Sequence, residues 1–369
     1  MKDTITKSSG NPVLWLLSAY RADSHAAWAD WLIKNFPLID WHGFELPGTY
    51  FPWRIRSNPL SWLGKLPEEP PDRILATSMV DLAALKGLNP RLAHIPVWYY
   101  FHENQFAYPK SKKHDKSIEP QMVQLYGALA ADRLVFNSQF NRDSFLEGIE
   151  AFLFDKPDVE PANILRRLEH ICEVLPIPVE QIPPAENKDP ALILWNHRWE
   201  YDKSPQLFAE AMIRLAKRGA DFRLALLGDR FEEPHPALVY LRELLPDCII
   251  IDEKADRDTY RKILGKAGIV ISSARHEFQG LAMLEAAGAG ARPVVPDKLC
   301  YPEQYGEVYR YKPGDPEALC DRIFDWLNNG LPPIADVSYW HSPRLLKQWE
   351  TLLYEPMKTV HTSKIPNSF

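Results

Sequence analysis

Glu277 and Glu285 flank Gly280 with seven residues between them, inside the string AGIVISSARHEFQGLAMLEAAGAGARPVVP that runs from Ala267 to Pro296. Gly280 lets a ligand come close to the chain, and the free N–H groups of a first helical turn favour a phosphate. Phe278 and Gln279 complete the turn on which such a ligand would lie. Spacing alone also fits a bland pair, one acid near a helix cap and one on a solvated face. Position argues for chemistry, because the pair brackets a turn between a buried strand and a helix, where open α/β sheets bind ligands.

Other reactive side chains fall at equivalent strand ends. Arg198 and Lys203 follow the apolar run ALILW and precede the helical PQLFAEAMIRLAKRG, a place from which two cations neutralise a pyrophosphate leaving group. His102, Glu103 and Asn104 follow VWYYF and combine a proton-transfer group, an acid and an amide. Ser24 and His25 stand between VLWLLSA and a helical segment, and Asn137 ends the strand-like RLVF. In WHGFELPGTYFPWRIRSNPLSW (Trp41 to Trp62), aromatics interleave with Arg54 and Arg56 while Pro and Gly interrupt any period. This reads as a loop that stacks bases and pairs phosphates, or equally as a packed connection with Arg over aromatic rings. The basic run Lys110 to Lys116 adds to an RNA footprint or is a solvated face.

Positioning these groups requires a repeating strand–turn–helix pattern. Runs rich in β-branched and aromatic residues, without polar alternation, predict buried strands of parallel sheets. The Pro-rich stretch Val174 to Pro190 has no helical period and reads as a linker. Two Rossmann-like α/β domains are expected, 1–182 and 183–340, followed by a terminal helix and a tail over 341–369. The length of 369 residues supports two cores, and 46% hydrophobic with 25% charged residues fits a globular protein. No apolar run reaches membrane-spanning length and no signal-like segment opens the chain, so a cytoplasmic protein without membrane contact is expected. Cys172, Cys248, Cys300 and Cys320 lack metal or redox spacing and read as reduced thiols. A net charge of −6 argues against general nucleic-acid coating but not against a local basic face.

The RHEFQGLAMLEA string resembles the Glu–seven–Glu element of retaining glycosyltransferases of family 4. Together with SH at Ser24–His25, WRIR, FHENQ, VFNSQFN and HRWEYDK, it makes nearly the whole chain similar to the tRNA-queuosine mannosyltransferase group within that family. The resemblance implies a GT-B fold, two domains facing across a cleft, with 1–182 receiving the acceptor, 183–340 holding the donor, and the terminal helix crossing back to the first domain. It implies GDP-mannose as donor, no metal or other cofactor, and a cyclopentenediol hydroxyl of queuosine in the anticodon loop of tRNA-Asp as acceptor. Glu277 would then orient the donor sugar, Glu285 the ribose, and Arg198 and Lys203 the diphosphate. His102 would lie beside the transferred sugar. Ser24, His25, Arg54, Arg56, Glu103, Asn104 and Asn137 would meet the acceptor. The leaving phosphate would take the acceptor proton. Relatives carry paired glycines where this chain has Ala22 and Asp23, a difference that bears on the acceptor. Rival readings are a family 4 enzyme with another donor or a non-tRNA acceptor, and a non-catalytic protein that binds a sugar nucleotide or RNA. The absence of a GxGxxG turn disfavours a nicotinamide enzyme.

Overall fold

The computed structural model describes residues 10–21, 23–108, 117–228 and 233–354, with the backbone alone at 23, 24 and 342. The run Lys110 to Lys116 and the tail beyond 354 therefore lie outside the described residues.

Two parallel six-stranded sheets follow one another along the chain. The first contains β1 (Val13–Arg21), β2 (Asp40–Pro47), β3 (Arg73–Thr77), β4 (Val97–Phe101), β5 (Arg133–Phe136) and β6 (Cys172–Val174), in the order β2-β1-β3-β4-β5-β6. Its helices are α1 (Asp23–Asn35), α2 (Phe51–Trp62), α3 (Leu82–Leu88), α4 (Glu119–Ala130), α5 (Gln139–Leu153) and α6 (Pro161–Glu169). The second contains β7 (Asp189–Trp195), β8 (Arg223–Leu226), β9 (Ile249–Asp252), β10 (Ala267–Ile271), β11 (Arg292–Pro296) and β12 (Arg310–Tyr311), in the order β12-β11-β10-β7-β8-β9. Its helices are α7 (Pro205–Lys217), α8 (Pro236–Leu244), α9 (Arg257–Lys266), α10 (Leu281–Gly288) and α11 (Pro316–Asn329). Residues 175–188 join the two sheets. Strands β3, β4 and β10 are buried along their whole length, because helices cover both faces of each sheet. No described helix is long and apolar enough to cross a membrane.

The segment read as an irregular loop over Trp41 to Trp62 is instead the edge strand β2 followed by α2. Pro52 falls in the first turn of α2, where a missing N–H costs nothing. Pro59 lies inside the helix, yet the carbonyl it leaves without a backbone donor, that of Ile55, accepts from Asn58 Nδ2 at 3.1 Å. The same side-chain nitrogen donates to the carbonyls of Arg54 and Met79, which ties α2 to the turn after β3. A side-chain amide thus replaces the lost backbone donor, and the helix continues.

A last helix, α12 (Ser342–Tyr354), returns to the first sheet. Its Leu345, Trp349, Leu352 and Leu353 are buried with Trp28, Leu32 and Tyr100. Trp349 Nε1 donates to the Pro176 carbonyl at 3.1 Å. Arg73 donates to the Leu353 carbonyl at 2.8 Å, placing a cation against the negative end of the helix. Trp349→Ala should therefore destabilise the protein by about 3–5 kcal/mol in urea unfolding, the usual cost of truncating a buried Trp. A loss under about 1 kcal/mol would mean that this helix is not an integral part of the core.

Candidate active site

In each sheet the strand order reverses once, between β1 and β3 in the first and between β7 and β10 in the second. Ligands of such sheets bind outside the C-terminal strand ends at that point. Both sets of strand ends border one cleft of about 1940 Å³, lined from the first domain by Tyr20, His25, His102 and Glu103 and from the second by Arg198, Lys203, Glu277 and Glu285. A single small-molecule pocket is about 300–1,000 Å³, so this cleft has room for a nucleotide sugar and part of a second substrate.

The second-domain wall is built around Lys203. Its ammonium donates to Glu277 Oε2 at 3.0 Å and to the His276 carbonyl at 3.1 Å, and stands 3.3 Å from Asp202. Burial raises the Glu277 carboxyl, but the charge and hydrogen bond of Lys203 overcome this and hold it at about 2. Burial lowers the Lys203 ammonium, and Glu277 and Asp202 together raise it above its ordinary value. The loop backbones interlock as well. The Asp202 carbonyl accepts from the N–H groups of Arg275 and His276, and Ser273 Oγ donates to the Lys203 carbonyl at 2.7 Å. Arg198 is half-exposed at the cleft, 3.3 Å from Glu200.

Helix α10 starts at Leu281 rather than near Gln279. Gly280 caps it in the left-handed region (φ 68°), with no side chain satisfying the first-turn N–H groups. A Cβ at Gly280 would come within 3.1 Å of the Tyr301 ring. Glu285 accepts from Tyr260 Oη at 2.9 Å, Tyr260 Oη accepts from Asn196 Nδ2 at 3.2 Å, and burial raises the Glu285 carboxyl. The ends of β7 and α10 are thereby joined beside the cleft.

In the first domain His102 is buried and stacked on His25, ring centroids 4.0 Å apart, and neither of its ring nitrogens has a hydrogen-bond partner. Burial, and then His25, push the His102 imidazole well below its usual range, so it is neutral. His25 lies 2.6 Å from the Tyr20 carbonyl through Nδ1, and burial brings it to about 4. Asn137 holds the His102 carbonyl at 2.8 Å and borders the cleft.

Several residues read from sequence as ligand contacts have other occupations. Asn104 is fully buried and donates to Asn141 and Ser144 while accepting from the N–H groups of Phe106 and Ala107, so it builds the turn after β4. Gln279 borders the cleft and spans Ile177, accepting from its N–H at 3.0 Å and donating to its carbonyl at 2.7 Å, which ties the turn before α10 to the connecting segment. Phe278 is buried against His276 and Phe140. Arg56 borders the cleft but is clamped by Asp81 at 2.5 Å and Glu119 at 2.9 Å, and Arg54 is half-buried. The side chains of Ser24 and Asp23, and all of Ala22, lie outside the described residues. Asp202, Tyr260, Asn196 and Tyr20 were not anticipated. Asp202 was within reach, since an acid beside Lys203 in EYDK signals a paired cation, whereas nothing local marks Tyr260 or Asn196.

Residues 13–179 match the family described as tRNA-queuosine alpha-mannosyltransferase N-terminal, and residues 178–337 match glycosyl transferases group 1. The tRNA-queuosine alpha-mannosyltransferase of Drosophila melanogaster is 34% identical over 333 residues, covering 86% of this chain and 88% of that protein. The chain belongs to the tRNA-queuosine alpha-mannosyltransferase family. It is a glycosyltransferase, and its two facing sheets are the GT-B fold. Solved structures agree on the fold. A sucrose-phosphate synthase from Thermosynechococcus elongatus has TM-score 0.70 at 13% identity, covering 93% of this chain and 98% of its own. The Anabaena protein HepE, in complex with UDP and glucose, has TM-score 0.63 at 12% identity, covering 92% and 98%.

The Lys203 cluster can be tested apart from activity. Lys203→Met leaves two buried carboxylates unpaired and should cost about 3–5 kcal/mol of stability at neutral pH. Because Glu277 is depressed in the folded state, its share of the stability is complete above the ordinary carboxylate range and is lost as pH falls toward about 2. Denaturant titrations across that window should show this loss in the wild type and not in the variant.

Proposed function

We propose that this protein moves mannose from GDP-mannose, with retained configuration, to a cyclopentenediol hydroxyl of queuosine in the anticodon loop of tRNA-Asp. The family relationship supports the acceptor class. One structural observation carries the reading: Lys203, Arg198 and the uncapped start of α10 face, across one cleft, a buried neutral His102 whose two ring nitrogens lack partners.

As the bond from C1 to the diphosphate oxygen breaks, negative charge grows on the diphosphate and positive charge on the sugar. Arg198, Lys203 and the first-turn N–H groups of α10 stabilise the former. Glu277, ionised throughout the working pH range, accepts hydrogen bonds from the sugar hydroxyls and holds C1 in place. Glu285 receives the ribose hydroxyls. His102, being neutral, offers one donor and one acceptor to the sugar and so selects the orientation of a hydroxyl rather than a charge. The chain's own cations carry the leaving group, in a reaction without metal.

Stacking more than charge supports a single-stranded RNA acceptor. Tyr50, at the rim of the cleft, is 79% exposed, and Trp53, in the first turn of α2, is 65% exposed. Arg56, spent on Asp81 and Glu119, pins the helix that presents them. Unstacked loop bases would lie on these rings.

Incubating the protein with queuosine-containing tRNA-Asp and GDP-mannose, with UDP-sugars in parallel, should add one hexose to the modified nucleoside by mass analysis, with GDP-mannose alone. Addition from a UDP-sugar would overturn the donor, and donor hydrolysis without transfer would overturn the acceptor. Trp53→Ala should raise the KM for tRNA by about fivefold or more, as loss of one base–aromatic stack implies, and leave the KM for the donor unchanged.

A further inference from the structure

The carboxylates bordering the cleft are nearly all engaged. Glu119 pairs with Arg56, Glu180 with Arg257 and Arg261, Glu200 with Arg198, and Asp202 and Glu277 with Lys203, while Glu285 accepts from Tyr260. Glu103, just beyond the end of β4, differs. Among the described residues its carboxylate has no cationic partner within ion-pair distance, and its one side-chain hydrogen bond is from the Gln105 amide at 3.2 Å. Its backbone is fixed nonetheless. Ser78 Oγ donates to the Glu103 carbonyl at 2.9 Å, and the N–H of Gln105 donates to Gln124 Oε1 at 2.7 Å. The phenols of Tyr20 and Tyr108 lie within electrostatic reach of the carboxylate, and both border the cleft with it, as do the neutral His25 and His102. A half-buried carboxylate among neutral rings lacks a counter-charge, and a cationic ligand supplies one.

We propose that Glu103 is a specificity-determining residue that binds the protonated amine of the acceptor nucleoside. The inference rests on the assignment of queuosine as the acceptor. In queuosine a secondary amine joins the cyclopentenediol to the 7-deazaguanine, and such an amine carries a proton near neutral pH. The amine adjoins the ring that bears the attacking hydroxyl, so a carboxylate that holds it also places the diol. A guanosine at the same position has no such group. No step at C1 passes through Glu103. It takes no proton, and the acceptor hydroxyl attacks on the face from which the diphosphate leaves.

Charge couples this site to the donor. Burial raises the Glu103 carboxyl, Arg198 and Lys203 lower it in part, Asp202 raises it, and the balance stands at about 7. The phenols of Tyr20 and Tyr108 and the imidazoles of His25 and His102 are uncharged, and Glu200 is paired with Arg198. A diphosphate bound to Arg198 and Lys203 adds negative charge and spends the two cations that act on Glu103. The carboxylate is then short of positive charge and holds an ammonium more strongly. Donor and acceptor therefore bind with positive coupling, each raising the affinity of the other. The ammonium needs the ionised carboxylate, so binding releases the Glu103 proton at acid pH. Affinity for an aminated acceptor thus rises with pH up to about 7.

The experiment measures binding, at fixed salt, of tRNA-Asp species that differ only in the anticodon nucleotide that queuosine occupies. One carries guanosine there and the other 7-aminomethyl-7-deazaguanosine, which has an amine but no diol. With GDP present, the wild type should bind the aminomethyl tRNA about tenfold or more tighter than the guanosine tRNA, the worth of one charge-assisted hydrogen bond. That preference should grow as pH rises from acid toward neutral and shrink when GDP is left out. Glu103→Gln should bring the two tRNAs to equal affinity while keeping its melting temperature and its affinity for GDP. Glu103→Asp should keep part of the preference. Equal binding of the two tRNAs by the wild type would overturn the proposal without recourse to any variant. So would a Gln variant that keeps the preference, or one that loses affinity for GDP instead, which would assign the carboxylate to the donor's cations. A wild type that shows the amine preference but transfers no hexose to queuosine-containing tRNA would overturn the functional reading on which the proposal rests.

Discussion

One ammonium group fixes the geometry of the second domain's active surface. Lys203 lies between Glu277 and Asp202 with little access to water, a setting in which an unpaired charge would cost several kcal/mol. Its partners come from two loops distant in sequence, so the pairing sets the distance between the end of β7 and the turn before α10. Removing the lysine would leave two buried carboxylates unpaired, while the bonds from Arg275 and His276 to the Asp202 carbonyl would still join the loops. The same arrangement keeps Glu277 ionised and rigid, which is what a sugar-orienting acceptor needs, and leaves the more exposed Arg198 able to move toward a ligand.

The opposite wall depends on how the two domains are held. Gln279, one residue before the Gly280 cap, is bonded twice to the Ile177 backbone. Glu303 from the second domain accepts from the N–H of Gln139 at 2.9 Å, at the first turn of α5 in the first domain, where a carboxylate complements the helix dipole. With α12 packed on the first sheet, three separate contacts set the width of the cleft. That is why His102 and Glu103, on one sheet, can be read together with Arg198 and Lys203 on the other.

Much of this was legible locally. Unalternated apolar runs predict the parallel strands, and the Glu277–Gly280–Glu285 string predicts a turn between a buried strand and a helix, which β10 and α10 show, because its residues lie within nine positions. What was not legible shares a physical origin. Asn104 and Gln279 sit inside the most informative motifs, but which way a polar side chain turns is decided by buried backbone groups elsewhere in the chain, here Phe106, Ala107 and Ile177. The stretch around Arg54 carries no regular period because Pro and Gly interrupt it, and the rescue of α2 by Asn58 depends on three-dimensional contact. Tyr260 and Asn196 reach Glu285 only through the fold. The domain assignment rested on composition, whereas the crossing of α12 rests on burial of Trp349.

The central claim, that the cleft holds a nucleotide diphosphate between Arg198, Lys203 and the start of α10, is tested most directly by calorimetric binding of guanosine, GMP and GDP to the unmodified protein. Charge-assisted hydrogen bonds contribute about 1.5–3 kcal/mol each, so GDP should bind at least about 100-fold more tightly than guanosine, with GMP between them and the gap narrowing as salt increases. Equal affinity for guanosine and GDP, unchanged by salt, would contradict the account.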